Sequence, residues 1–251
     1  LATMKSVKDS LLQRRSIRRY ERESVSDDDM NLIYEAIRNT PTSYNGQQFS
    51  VIDISDQEVK EKLYALTNQK QIKTCNHFLL FLADYHKIDV LADKKGIDMP
   101  QFTHTVDGII VGVVDATLAM MSAVAMAESL GLGTCCVGYA RTVAPEAVSQ
   151  IVNLPQHTFV VCGLAIGVPR EQPDMKPKQP ASLVIHHNEY RQDDMAPDLE
   201  AYDAEITRYN TTRAGDKTTN DWCGHIISYY REAMKYRMLS ALRRRGFDME
   251  H

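Results

Sequence analysis

Residues 108–130 form the longest apolar run in the chain, dense in Ala, Val and Met, and a run of that length admits few folds. It is long enough to consider as a bilayer span, yet Asp107, Asp115 and Glu128 punctuate it, and Gly131 and Gly133 supply a helix stop. A membrane span is therefore rejected. A helix apolar nearly all round belongs instead in a core or at a subunit interface. A chain of 251 residues can bury one sizeable core, as one domain or two. With 25% charged residues and a formal net charge of −4, it has no general attraction to nucleic acid or an anionic membrane, so neither is expected as a partner. Residues 1–8 lack a long apolar stretch and read as neither signal peptide nor anchor; Leu1-Ala2-Thr3 before Met4 reads as a cloning remnant.

Around that run, helices and strands alternate. A short helix is expected over 6–13, and a second opening at Ser26, a side-chain cap followed by Asp27, Asp28 and Asp29 on the positive end of the helix dipole. Met30, Ile33 and Ile37 recur at helical spacing. The polar stretch 39–48 is a loop, 51–54 alternates like a half-buried strand, and 57–66 fits a third helix. Residues 78–83 form a short apolar run expected as a strand buried on both faces. Two further buried strands are expected at 135–137 and 159–166, with a short helix over 145–151 between them. Five prolines fall between 155 and 180, which makes 169–180 an ordered or extended connector. Helical stretches follow at 197–211 and 222–245, with Gly246 as the C-terminal cap. The cluster Gly131-Leu132-Gly133 follows a helix where a dinucleotide-binding fingerprint would open one, so that fingerprint is absent.

The five cysteines, Cys75, Cys135, Cys136, Cys162 and Cys223, contain no CxxC pair, and three lie in apolar segments. Adjacent Cys135 and Cys136 would face opposite sides of a strand, which disfavours bridging them. Buried, reduced thiols of a cytoplasmic protein are expected, with no disulfide and no zinc site. His186-His187 has no carboxylate or thiol at metal-ligand spacing and reads as a surface pair.

The chemistry-bearing residues begin with Arg14-Arg15-Ser16-Ile17-Arg18. Two guanidinium forks with a hydroxyl between them suit a phosphate monoester; a solvated basic helix face explains the same run equally well. A second basic element, Lys176-Pro177-Lys178, lies in the connector, where prolines hold the backbone at low entropic cost. The loop 40–47 adds hydroxyls and amides able to bond the edge of a flat heterocycle.

Taken in order, these landmarks resemble the nitroreductase superfamily, specifically its NADPH-preferring oxygen-insensitive nitroreductase and flavin reductase branch. The matching residues are Arg15 to Arg18, the polar loop 40–47, Gly112-Val113-Val114-Asp115, the run from Ala127 to Gly133, Leu154-Pro155, Pro173-Asp174-Met175-Lys176-Pro177, and the tail from Thr212-Arg213 to Trp222. The resemblance implies an α+β sandwich, its central and mostly antiparallel sheet surrounded by helices, in an intertwined homodimer. It implies an FMN-binding core over 4–180 and a C-terminal helical extension over 181–251 that wraps the partner, the two forming one integrated domain. By motif match, Arg14, Ser16 and Arg18, with Arg15 of the same motif, fall to the FMN phosphate, joined by Lys176 and Lys178. Ser43, Asn45 and Gln69 fall to the flavin or its ribityl chain, Val137 and Gly138 to the ring, and Arg213 to the phosphate of NADPH.

Departures from the family pattern are Arg14 for a usual histidine, Lys178 for an arginine, Asp107 for a frequent glutamate, and Thr218 beside Lys217 at a second basic tail position, which leaves the choice between NADPH and NADH open. His104, Asp107 and Tyr139 are candidates to line the cleft or to serve the fold. The implied activity is an FMN-dependent transfer of two electrons from NAD(P)H to nitroaromatics, quinones, azo compounds or free flavins by a ping-pong exchange. The flavin carries the chemistry, so no catalytic side chain and no metal is expected. Other readings are a flavin reductase serving a partner, a non-catalytic FMN store, and a flavin-free helical interaction protein.

Overall fold

Four strands, β1 (Phe49–Ile54), β2 (His77–Asp84), β3 (Gly133–Val137) and β4 (Thr158–Gly167), make one sheet among the described residues, ordered β1-β2-β4-β3 and antiparallel at every pairing. The computed structural model describes residues 4–251, and the three residues read as a cloning remnant lie outside them. The chain separates into two compact units, one of residues up to 172 together with 237–251, the other of residues 173–236.

In the first unit, α1 (Val7–Gln13), α2 (Asp27–Arg38), α3 (Gln57–Thr67), α4 (Lys70–Thr74), α5 (His86–Lys95), α6 (Val106–Ser129), α7 (Tyr139–Thr142) and α8 (Pro145–Ile151) surround the sheet. The period of two along β2 sorts its side chains into two cores. Leu79, Phe81 and Ala83 meet α2 and α6 on one face, while Phe78, Leu80 and Leu82 meet residues of α3, α4, α7 and α8 on the other. Phe78, Leu79, Leu80 and Phe81 are all fully buried, as a strand covered on both faces requires. The α+β sandwich and its antiparallel sheet are those implied by the family resemblance.

Side-chain caps open α2 and α6. Ser26 accepts from the amide of Asp29 at 3.1 Å to open α2. Thr105 accepts from Gly108 at 3.0 Å to open α6, and α6 closes where Gly131, at φ 78°, lets Leu132 donate back to the carbonyl of Ala127. α6 is long and apolar enough to cross a bilayer, but it lies on the sheet beside β2. At Gly112 a side-chain carbon would come within 2.7 Å of the Ala83 methyl, so glycine sets how closely helix and strand approach.

The second unit holds α9 (Ala181–Val184), α10 (Met195–Thr212) and α11 (Trp222–Ala233). Tyr202 of α10 packs edge-on against Trp222 at 5.4 Å and donates to the carbonyl of Pro177 at 3.0 Å, fixing the proline-rich connector to the helices. That connector carries no helix or strand from 173 to 180, as its prolines dictate.

Two sequence expectations need correction. The stretch 222–245 is two helices, not one: α11 ends at Ala233, and α12 (Met238–Arg244) starts after a non-helical Arg237 and belongs to the first unit. No glycine or proline marks that break. Tertiary contacts impose it, because Phe247 is fully buried edge-on to Phe159 at 4.9 Å, and the Arg245 guanidinium donates to the carbonyls of Leu154, Pro155 and Thr158. The cysteines are all free, but only Cys75, Cys135 and Cys162 are buried, while Cys136 and Cys223 are exposed. Cys135 and Cys136 do face opposite sides of β3. The first helix ends at Gln13 as expected, and Arg14, which opens the basic run, is already extended, at φ −62° and ψ 144°.

Candidate functional site

The extended run after α1 is laid against the sheet. Ser16 pairs with Thr134 of β3 in parallel register, and the amide of Ile17 donates to the Thr134 carbonyl at 2.8 Å. Ile17 turns its side chain inward over Gly133, where a side-chain carbon would come within 2.8 Å of it. Three residues on, Tyr20 is buried and its hydroxyl donates to the carbonyl of Ile17. Burial pushes the Tyr20 phenol well above its ordinary value, so it stays a donor. The amides of Arg18 and Arg19 both donate to Oε1 of Glu171, at 2.7 and 3.2 Å. Buried Ile17 and Tyr20 thus anchor the segment, while Arg18 and Arg19 face solvent and Arg14, Arg15 and Ser16 are half-buried. This geometry removes the solvated-helix reading of the run.

Beneath the run lies Glu128, near the end of α6 and buried. Burial raises its carboxyl pKa, and the charges of Lys5, Arg14 and Arg15 pull the other way. One oxygen of Glu128 and the Nε of Arg15 are buried without a hydrogen-bond partner, so the arginine run retains unused polar capacity at this point.

The loop between α2 and β1 is organised by Asp115, fully buried in the middle of α6. Its Oδ1 accepts from the amide of Ser43 at 3.0 Å and its Oδ2 from that of Gln48 at 3.3 Å. Thr40 donates to Ser122 of the same helix at 2.9 Å. Between these anchors Tyr44, Asn45 and Gln47 take left-handed backbone, at φ 42°, 53° and 53°, conformations that cost energy for residues other than glycine and asparagine. Ser43 and Asn45 lie in this loop, with Tyr44 beside them 74% exposed.

Gln69 starts α4, half-buried, and its side-chain oxygen accepts from Gln71 at 3.1 Å. Val137 ends β3 opposite Gly163 and is buried. Gly138 then turns the chain into α7, and a side chain there would meet nothing nearer than Arg141 at 3.8 Å, so open space fronts the backbone. Ser16 and Val137–Gly138 therefore share one strand, at Thr134 and at its end. Ser43, Asn45 and Gln69 share no hydrogen bond or ion pair with the run 14–18 among the described residues.

His104 borders a separate cleft of about 400 Å³ with Tyr44, Phe102 and Glu250, and accepts at its carbonyl from the Glu250 amide at 2.7 Å. Asp107 stands in the first turn of α6, and Tyr139 begins α7.

In the second unit, Lys176 and Lys178 are exposed on either side of Pro177, whose carbonyl Tyr202 holds. Arg213 caps α10, donates from Nε to the Asp216 carbonyl at 2.6 Å and lies over the Tyr209 ring.

Sequence reasoning passed over the roles of Asp115, Glu128 and Glu171. A carboxylate isolated within an apolar helix is expensive unless bonded, and that signal was present at Asp115 and Glu128. Glu171 carried none.

The fold is an α+β sandwich, and comparison with known proteins makes its assignment specific. Residues 11–168 match the model of the nitroreductase family, and residues 176–250 that of the nitroreductase family C-terminal domain. The chain belongs to the nitroreductase family. It is 35% identical over 249 residues to the FMN reductase [NAD(P)H] of Bacillus subtilis (strain 168), covering 98% of this chain and 100% of that one. It is 34% identical over 214 residues to the oxygen-insensitive NADPH nitroreductase of Salmonella typhimurium, covering 84% and 85%. The solved structure of the hypothetical oxidoreductase YcnD from Bacillus subtilis superposes with a TM-score of 0.93 at 35% identity, over 99% of this chain and 100% of that one.

A carboxyl whose pKa is raised on folding favours the fold at low pH and opposes it once it ionises. Glu128→Gln should therefore raise the melting temperature at pH 8, with the gain vanishing near pH 3, where Glu128 is protonated in both states. Calorimetry of the FMN-free protein across that range is the check; a gain that persists at pH 3 contradicts the assignment.

Proposed function

We propose that this protein is an FMN-dependent oxidoreductase that transfers two electrons from NAD(P)H to small electron-poor acceptors: nitroaromatics, quinones, azo compounds and free flavins. The observation that carries the reading is the arginine run tacked along β3, with the open turn Val137–Gly138 at the other end of the same strand. From Thr134 to Val137 the strand rises about 10 Å, a span suited to a phosphate at one end and a flat ring at the other. The buried, unpartnered Nε of Arg15 and the open space before Gly138 support the fit of the cofactor to these residues.

In this reading Arg14, Arg15, Ser16 and Arg18 hold the FMN phosphate through charge-assisted hydrogen bonds. The exposed ammonium groups of Lys176 and Lys178 are assigned to the same phosphate on charge and on the family pattern. Val137 and Gly138 offer an apolar surface and backbone groups to the ring, and Ser43, Asn45 and Gln69 supply hydroxyl and amide contacts. Bound FMN supplies the redox chemistry itself. The residues of this chain bind, orient and exclude water, and no side chain is asked to act as acid, base or nucleophile. NAD(P)H enters and leaves before the acceptor takes the same place, a two-stage exchange. Arg213 is assigned to the NADPH phosphate, and the FMN reductase relative favours free flavin among the acceptors.

The outer face of α6 exposes Val106, Ile110, Val114, Leu118 and Met121. An apolar stripe of this kind is suited to burial against a second copy, and we assign the protein a homodimeric state. Light scattering checks it: about twice the chain mass of 28.4 kDa is expected, and a monomer at micromolar concentration contradicts it. The free cysteines suit a reducing compartment, and we assign the protein to the cytoplasm, checked by fractionation.

Arg18→Ala should weaken FMN binding about 10–100-fold, the effect of losing a charge-assisted bond worth about 1.5–3 kcal/mol. Fluorescence titration with FMN measures it, and unchanged affinity refutes the phosphate assignment. Arg213→Ala should raise KM for NADPH about tenfold while leaving KM for NADH unchanged; steady-state kinetics showing equal effects on both would rule out a phosphate contact.

A further inference from the structure

A cleft of about 630 Å³ opens in the first unit where β1 ends and β2 begins. Arg14, Ser16, Arg18, Val137 and Gly138 are not among its lining residues. Its charged lining consists of Arg22, Lys60, Lys73 and Arg170, with His77 beside them and Glu21 as the one carboxylate.

Lys60 is the unusual member. Only 4% exposed, it donates from Nζ to the Cys75 carbonyl at 2.6 Å, and no carboxylate among the described residues pairs with it. Burying an ammonium group with a single neutral acceptor is unfavourable unless a counter-charge arrives. The guanidinium groups of Arg22 and Arg170 likewise have no hydrogen-bond or ion-pair partner among the described residues, and both side chains are exposed. Lys73 is held at the wall by the Tyr64 ring, its Nζ 4.0 Å from the centroid. His77 is oriented by Asp53, which meets its Nδ1 at 2.8 Å. Two free planar forks and a buried point charge, facing one carboxylate, make a receptor for an anion with several oxygens.

We propose that this cleft is a second anion-binding site, taking a small phosphate-bearing molecule. Its volume falls within the range of about 300–1,000 Å³ usual for small-molecule sites, larger than inorganic phosphate fills and large enough for a nucleoside phosphate. The proposal stands on residues separate from those assigned to FMN and holds whether or not that assignment does.

The test is isothermal titration of the FMN-loaded protein with inorganic phosphate and, separately, with ADP, each against potassium chloride at matched ionic strength. Saturable binding is expected, and the double variant Arg22→Ala/Arg170→Ala should weaken it at least tenfold, about the effect of losing one charge-assisted fork. Flavin absorbance per chain and NAD(P)H turnover should be unchanged in that variant. Lys60→Met should abolish binding; should it fail to fold, the surface double variant decides alone. Tighter binding of ADP identifies a nucleotide occupant and equal binding a free phosphate, and either supports the site. No saturable binding of either probe, or equal affinity in the wild type and the double variant, overturns it. Flavin absorbance reports separately on the FMN reading.

Discussion

The contact between α6 and β2 is where the remainder of the first unit takes its bearings. Gly112 brings the helix so near Ala83 that one added carbon would collide with the strand. A helix held this closely cannot rotate or slide without opening the core beneath it. Two carboxylates travel with it into the interior, Asp115 at its middle and Glu128 near its end. Each meets a different segment there. Asp115 gathers the amides of the 40–48 loop, and Glu128 sits under the arginine run. The most apolar helix in the chain is therefore also a polar organiser, through the buried carboxylates of Asp115 and Glu128.

The sheet's outer margin shows the same economy. β3 is short, and on its free side the chain after α1 pairs at Ser16 and Ile17. That pairing satisfies edge groups that would otherwise invite association, and it fixes the arginines relative to the turn at Gly138. Ile17 and Tyr20 face inward and the cationic side chains stay available, so a strand-like backbone does what a helix face could not. Lys60 and the cations around it occupy another corner of the same unit, which places two concentrations of positive charge on a chain that is acidic overall.

Much of this was legible in the sequence because local rules and the fold agree. The cap at Ser26, the short apolar run of β2 and the glycines at 131 and 246 each name an element or a boundary by a mechanism that does not depend on the fold. The break after Ala233 had no such signal. Residues 222–245 are helix-compatible throughout, and the interruption exists because Phe247 and Arg245 have partners far away in sequence. The basic run was legible as chemistry but not as conformation, since arginine spacing is read one way on a helix and another on an extended chain. Its conformation was set by Thr134 and Glu171, more than a hundred residues on. The acidic residues at 115 and 128 were visible as anomalies, and only the packing of α6 gave them partners.

The left-handed backbone at Tyr44, Asn45 and Gln47 has a bearing on how a ligand meets this protein. A loop of hydroxyls and amides left to itself would sample many shapes and lose that freedom on binding. Here the ordering is done during folding, by one buried carboxylate pulling two amides inward while the tip is held in unfavourable torsions. A guest that fits the loop meets a surface already shaped, and little of its contact energy goes into arranging the host.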